Sequence, residues 1–363
     1  MKINHLSLYN YRGYHQQDIA FGKGVNLFIG HNGSGKTNLL EAIYFLSLAK
    51  SYKTDDAFLI KFNEDFARIQ ADFTASQKKQ MLQMVITKNK KKIILNGQEI
   101  QRLSHYIGRV NVVSFLPEDM ELIKGPPKKR RYMIDAMIGQ MDRNYLIELS
   151  HYKKRLKERN ELIKKLSADP KPDMTLLDIY TEQLAISAEN LIAKRIQFVE
   201  QINDHLREIH PYLSNNGPLV TFTYLPTITS HVEETLKHQY QKDLFNKTTT
   251  SGPHRDDYQF IITNLDAKDL ASQGEQRVII LSIFLAIAKI MTTAKQEPPI
   301  ILLDDVFSEL DGLRQNRLIH YLNQSDLQTI ITTTSSNHIE SNILDRSTIY
   351  SVKDHFIRRH KHE

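Results

Sequence analysis

The 363-residue chain contains no cysteine. That absence excludes disulfides, thiolate zinc sites and thiol catalysis, and it fits a reducing compartment. Long apolar runs are also scarce. The most apolar stretch, residues 278–288, is roughly half of what a bilayer crossing needs, so it reads as a buried helix and no membrane partner is expected. The first fifteen residues mix polar and apolar side chains and lack the apolar core of a signal peptide, so a cytoplasmic location is expected. Internal repeats, low-complexity tracts and base-reading motifs of the helix-turn-helix or zinc type are absent as well. What is present is an ordinary globular composition, 40% hydrophobic and 25% charged, on a length that suits one large domain with an insertion. A formal charge of +6 and a pI near 9.1 are compatible with nucleic-acid binding and do not require it.

Apolar and polar residues alternate over 3–9, and 25–29 is a short apolar run closed by glycine; both read as strands. Further strands are predicted over 67–73 and 81–87, and Asn96-Gly97 after 91–95 predicts a tight hairpin. From Pro127 to about Tyr212 glycine is rare and apolar residues fall at helical spacing. One stripe runs through Leu149, Tyr152, Leu156 and Ile163, a second through Leu184, Leu191, Phe198, Ile202, Leu206 and Ile209, with Asp169-Pro170-Lys171-Pro172 as the break. Two antiparallel helices of roughly three to five turns each are expected. After Thr248 the pattern returns to αβ alternation, with a helix near 276–292 and strands at 300–303 and 328–332, while residues 358–362 look frayed. The expected division is a head over 1–122, a helical arm over 123–247, and the rest of the head over 248–363.

Three strings carry chemistry. Gly30-His31-Asn32-Gly33-Ser34-Gly35-Lys36-Thr37 matches the P-loop pattern, follows an apolar strand and opens a helical pattern over 38–50. Its glycines let backbone N–H groups turn toward phosphates, Lys36 reaches the β and γ phosphates of ATP, and Thr37 is the expected Mg2+ ligand. Ile300-Ile301-Leu302-Leu303-Asp304-Asp305 is an apolar strand ending in two carboxylates. Asp304 is assigned to the metal, and Asp305 to the water that attacks the γ-phosphate. Ala271-Ser272-Gln273-Gly274-Glu275-Gln276-Arg277 opens another helix and resembles the signature motif of ABC-type ATPases. In that motif a serine and a glycine meet nucleotide held by the opposite subunit. By itself Ser272 reads as a simple helix N-cap, and its position between the P-loop and the acidic strand turns the reading toward the signature motif.

Ser251-Gly252-Pro253-His254-Arg255-Asp256-Asp257, the signature string, and Leu303-Asp304-Asp305-Val306-Phe307-Ser308-Glu309-Leu310-Asp311 stand together with Asn10-Tyr11-Arg12 and Pro117-Glu118-Asp119. In this order they resemble the RecF family, part of the chromosome-maintenance group of ABC-type ATPases, along essentially the whole chain. The resemblance implies an α/β fold: an ABC-type ATPase head, which is a P-loop NTPase with a β-rich lobe, plus an inserted α-helical arm domain. It places Arg12, Ser272, Gly274 and Asp311 at the nucleotide and implies slow, DNA-dependent hydrolysis of ATP with Mg2+. It also implies an ATP-dependent homodimer on double-stranded DNA near gap junctions with single-stranded DNA, a nucleoid association, and the mediator partners RecR and RecO. His254 and Arg255 can equally form a structural turn paired with Asp256 or Asp257.

The sequence departs from cassette transporters at 116–119, where they carry a hinge glutamine, and at 332–336, where they carry a histidine. His338 lies too late for that role, so no γ-phosphate sensor is assigned. For DNA, Lys88, Lys90, Lys91 and Lys92 cluster at the predicted hairpin, and Lys153, Lys154, Arg155, Lys157 and Arg159 stud the first arm helix. Each cluster suits phosphates or a solvated face. Rival readings are another chromosome-maintenance ATPase, a transporter ATPase subunit, and a P-loop small-molecule kinase. The arm is too short for the first, and the third leaves the Ser272 and Ser308 strings unexplained.

Overall fold

The computed structural model describes residues 1–335 and 344–360, apart from the side chain of Glu309. His338 therefore lies outside the described residues. The chain divides into two compact units: Met1–Met120 with His205–Leu219 and Ala271–Glu363, and Glu121–Asp204 with Val220–Leu270. The head thus resumes at Ala271 rather than at residue 248, and residues 205–219 belong to it.

Two six-stranded sheets build the first unit. One runs in the order Phe356–Arg359, Thr348–Lys353, Val25–Ile29, Thr329–Thr333, Ile300–Asp304, Val112–Phe115. All of its pairings are parallel except the terminal hairpin. Strands of such a sheet are covered on both faces, which is why Ile300–Asp304 and Thr329–Thr333 are buried at every position. Arg358 and Arg359, expected to be frayed, instead pair with Ser351 and Tyr350 as the end of the strand Phe356–Arg359, and Gln17 adds bonds at Ile357, accepting from its N–H at 2.9 Å and donating to its carbonyl at 3.2 Å. The second sheet is antiparallel, in the order Tyr14–Ala20, Lys2–Tyr11, Phe66–Ala75, Lys78–Thr87, Lys91–Leu95, Gln98–Glu99. Asn96 and Gly97 have φ of 50° and 81°, the left-handed pair that a two-residue hairpin turn needs.

The helix Gln273–Lys295 has 23 residues and an 18-residue stretch of mean hydropathy 1.9, long and apolar enough to cross a membrane, yet most of that stretch is buried inside the protein. It is longer than the apolar run suggested because polar residues at both ends continue the helix. His210 lies beside it, its Nδ1 3.2 Å from Ser282 Oγ, and burial pushes its pKa down to about 4.

The second unit holds the two arm helices, Arg143–Leu166 and Thr175–Ser214, the latter ending within the first unit's residues. At 24 and 40 residues they make about seven and eleven turns, well beyond the three to five expected. The apolar stripe does not register the added length, because the first helix extends past it at both ends and the second carries Pro211 without terminating. A three-stranded sheet in the order Leu265–Asp266, Asp257–Ile262, Val220–Leu225 completes the unit.

Candidate nucleotide site

The strand Val25–Ile29 delivers the chain into the loop 30–35, and the helix Lys36–Leu48 leaves it. Gly33 at φ 79° and Gly35 at φ 112° take the left-handed conformation that side chains resist. The two parallel partners of this sheet bring Ile331 opposite both Leu27 and Leu303, so the acidic pair emerges beside the loop at the carboxyl edge of the sheet. The result is a cavity of about 250 Å³ lined by Asn32, Gly33, Gly35, Lys36, Thr37, Asn38, Pro117, Asp304 and Asp305.

Lys36 folds back over the loop, its Nζ donating to Gly30 O at 2.6 Å and His31 O at 3.0 Å. Burial lowers its pKa, while Asp305 and Asp304 pull in the opposite direction. Ser34 N–H donates to His31 O at 3.2 Å, so Gly30, His31 and Ser34 close the loop without lining the cavity. Asp304 is buried. Its Oδ1 accepts from Thr332 Oγ1 at 2.5 Å and lies 3.4 Å from Thr37 Oγ1. Asp305 stands at φ 49°, its N–H donating to Thr332 Oγ1 at 3.1 Å, and its Oδ1 is buried without a partner. A left-handed aspartate at a strand end costs energy that the surrounding bonds must hold. An orphaned buried carboxylate oxygen is likewise unfavourable unless a ligand or water meets it.

Thr37 and Asp304 fit Mg2+, and the orphaned Asp305 oxygen faces the space that a water would take. Mg2+ is usually held by one or two carboxylates and otherwise by water and substrate phosphates.

Thr332 was not singled out from sequence: it is one of three threonines in the buried strand Thr329–Thr333, and only the pairing that sets it beside Asp304 distinguishes it. Asn38 and Pro117 were missed as lining residues as well. Pro117 lies in the stretch that departs from transporters.

The remaining expected site residues lie elsewhere. Arg12, at φ 52°, makes a two-pronged pair with buried Glu41 at 2.8 and 2.9 Å, and reaches Thr54 Oγ1 and Phe58 O at 3.0 Å. Burial works against its charge, but Glu41 raises its pKa overall. Ser272 caps Gln273–Lys295 with a full capping box: its Oγ accepts from Glu275 N–H, and Glu275 accepts from Ser272 N–H at 2.8 Å. Bonding to Ser272 lowers the Glu275 pKa. Asp311 caps Gly312–Gln324, accepting from Arg314 N–H at 2.9 Å. Ser272 and Asp311 are exposed and, like Gly274 and Arg12, do not line this chain's cavity.

The string 251–257 packs inside the second unit. Asp256 is buried and accepts from Thr227 N–H at 2.7 Å, Thr227 Oγ1 at 2.8 Å, Tyr224 Oη and Arg195. Asp257 accepts both prongs of Arg130 at 2.7 and 2.9 Å. His254 lies between Tyr152 Oη at 2.6 Å and Thr249 O at 3.1 Å, and burial lowers its pKa to about 4. The ion pairs of Asp256 and Asp257 therefore go to Arg195 and Arg130, from distant helices, not to Arg255. The basic stripe on the arm is similarly diminished. Arg159 is fully buried against Asp243, and Arg155 donates to Gln183 O and Ser187. Lys154 and Lys157 pair with Glu158 and Glu161 along their own helix. At the hairpin Lys91 pairs with Asp56 at 2.6 Å, while Lys88, Lys90 and Lys92 are exposed.

The RecF/RecN/SMC N-terminal domain family matches residues 2–357. The DNA replication and repair protein RecF of Shouchella clausii is 38% identical over 371 aligned positions, covering 99% of this chain and 100% of the relative. The protein of the same name from Staphylococcus aureus strain JH9 is 38% identical over 97% of this chain and 98% of its own. Among solved structures, the recombination mediator protein RecF-ATP of the RecFOR pathway superposes with a TM-score of 0.88 at 30% identity, covering 99% of this chain and 97% of that one. A Pyrococcus furiosus Smc head domain bound to the C-terminal domain of ScpA matches with a TM-score of 0.58 at 18% identity, a likeness of fold alone.

Proposed function

The chain belongs to the RecF family of ABC-type ATPases, and from that premise we propose an ATP-dependent DNA-binding protein of recombinational repair and replication. Two copies close on duplex DNA near single-strand gaps when each holds ATP and Mg2+. There they help mediator proteins of the RecO and RecR kind to load recombinase, and slow hydrolysis releases them. A cytoplasmic, nucleoid-associated location goes with this role.

One observation carries the reading. The phosphate loop and the acidic strand converge on one cavity, while Ser272 and Asp311 sit exposed outside it. A single chain thus supplies half of the expected contacts, and a second chain can bring the other half through its own Ser272, Gly274 and Asp311. Ser272 keeps its capping bonds in that arrangement, so cap and cross-chain contact are compatible. Within the cavity, Lys36 supplies positive charge to the β and γ phosphates. The loop N–H groups cradle the phosphates, and Asp305 orients the attacking water and accepts its proton. Bound Mg2+, held by Thr37 and Asp304, would supply charge neutralisation on the phosphate oxygens.

Duplex binding is expected only with ATP, and it should fall steeply between low and moderate salt with little dependence on base sequence. Release of counterions from phosphates dominates a contact that lacks base-reading elements. Titrations of unrelated duplexes over a salt series, with and without ATP, check this. A salt-insensitive, sequence-selective footprint would overturn the DNA-binding mode.

A further inference from the structure

The loop that faces the phosphates is held from behind by a hairpin that comes much later in the chain. Strands Thr348–Lys353 and Phe356–Arg359 are joined by Asp354 and His355 alone, at φ 48° and 60°, the two left-handed residues of a tight hairpin turn. The first of these strands runs parallel beside the P-loop strand, with Ser351 opposite Ile29. The turn therefore projects to the level of the loop, where His355 N–H donates to Ser34 O at 2.9 Å. The next carbonyl, Gly35 O, accepts from Tyr14 Oη at 3.0 Å.

Ser34 O is thus fixed by the hairpin, and Gly35 O by Tyr14 together with Leu39 N–H of the following helix at 3.1 Å. In a trans peptide the C=O and the following N–H point in opposite directions. Fixing Ser34 O and Gly35 O therefore turns the N–H groups of Gly35 and Lys36 away from the hairpin, and both residues line the cavity. The packing is close. A Cβ on Gly35 would stand 2.6 Å from His355 Nδ1 and 2.9 Å from Tyr14 Oη, one on Gly13 would stand 2.2 Å from the His355 ring, and one on Gly30 would stand 2.2 Å from Val352 O. The rings of Tyr14 and His355 meet edge to face at 5.5 Å.

We propose that the Asp354-His355 turn and Tyr14 are positioning elements of the phosphate site, clasping the P-loop from the face opposite the nucleotide and aiming the Gly35 and Lys36 N–H groups at the β-phosphate. This rests on the reading of the cavity as the ATP site. Neither residue touches nucleotide, so their effect is on the loop's readiness to bind, the part of affinity that preorganisation supplies.

The test is equilibrium binding of fluorescent ADP and ATP analogues, with thermal unfolding recorded in parallel and Lys36→Ala as control. Tyr14→Phe loses one hydrogen bond to the loop and should weaken both nucleotides roughly three- to tenfold with its melting temperature little changed. Gly13→Ala places a methyl against the His355 ring and should weaken binding about tenfold, whereas in a His355→Gly background, where the ring is gone and glycine suits the turn, the same methyl should cost nothing further. The proposal is overturned if Tyr14→Phe and Gly13→Ala both bind within about twofold of the parent while Lys36→Ala has lost affinity. Equal cost of Gly13→Ala in both backgrounds overturns it too. Normal nucleotide binding by Lys36→Ala would instead remove the ATP-site reading beneath it.

Discussion

Lys36→Ala protein is expected to keep its fold and to lose nucleotide binding and hydrolysis together. Lys36 is the only lysine or arginine lining the cavity among the described residues, and its Nζ is held over the loop by two carbonyls, with which a bound phosphate would compete for its protons. Hydrogen bonds to a charged group contribute about 1.5–3 kcal/mol each, so losing the contact should weaken ATP by about tenfold or more. The bond to the γ-phosphate strengthens as charge develops there, which places the loss of turnover at roughly a hundredfold or beyond. Folding should survive because Lys36 is the first residue of its helix and the apolar residues behind it, Leu39, Leu40 and Ile43, are untouched. Calorimetric ATP titration and steady-state phosphate release check both quantities. Ordinary turnover in this variant would refute the P-loop assignment.

Asp305→Asn should separate the two functions that Lys36→Ala removes together. The amide keeps the size and much of the hydrogen bonding of the carboxylate but cannot take a proton, and a general base is worth roughly 10²–10⁴ in rate. Binding should be equal or tighter, since Asp305 places a negative charge near Lys36 and near the phosphates that Lys36 serves. Under the proposed cycle the variant accumulates as ATP-bound dimers on duplex DNA, seen as slow dissociation after dilution. Asp304, bonded to Thr332 and facing Thr37, should behave differently, with Asp304→Asn weakening Mg2+-dependent binding itself. Loss of ATP binding in Asp305→Asn would mean that the roles of the two aspartates are exchanged.

The cavity was legible in sequence because its parts are contiguous strings tied to local structure. A P-loop must follow a strand and open a helix, and an acidic pair closing an apolar strand must emerge at the edge of a parallel sheet. Thr332, Tyr14 and His355 were not legible. Each acts through a partner on another strand, and nothing in its neighbouring residues marks which strand that will be. Arg12 was noticed through its surrounding string, but its two-pronged bond to Glu41 depends on where the P-loop helix lies. Length misled in the arm, where apolar spacing identifies a helical face but not how far polar turns extend it. Charge misled there as well. Arg159 reads as part of a basic surface until the tertiary fold buries it against Asp243, because a charge cluster in sequence does not say which of its members face inward.

The central claim is that nucleotide is shared between two chains, and mixing two inactive variants tests it most directly. Ser272→Arg puts a bulky cation where the facing P-loop should dock and leaves its own Lys36 and Thr37 intact. In a mixed dimer with Lys36→Ala protein, one composite site carries both lesions and the other carries neither. Steady-state ATPase of the mixture is therefore expected to rise above that of either variant alone, whereas loss of a simple helix cap would cost about 1 kcal/mol of local stability and leave turnover intact. Full activity of Ser272→Arg by itself, or a mixture no more active than its components, would contradict the shared site.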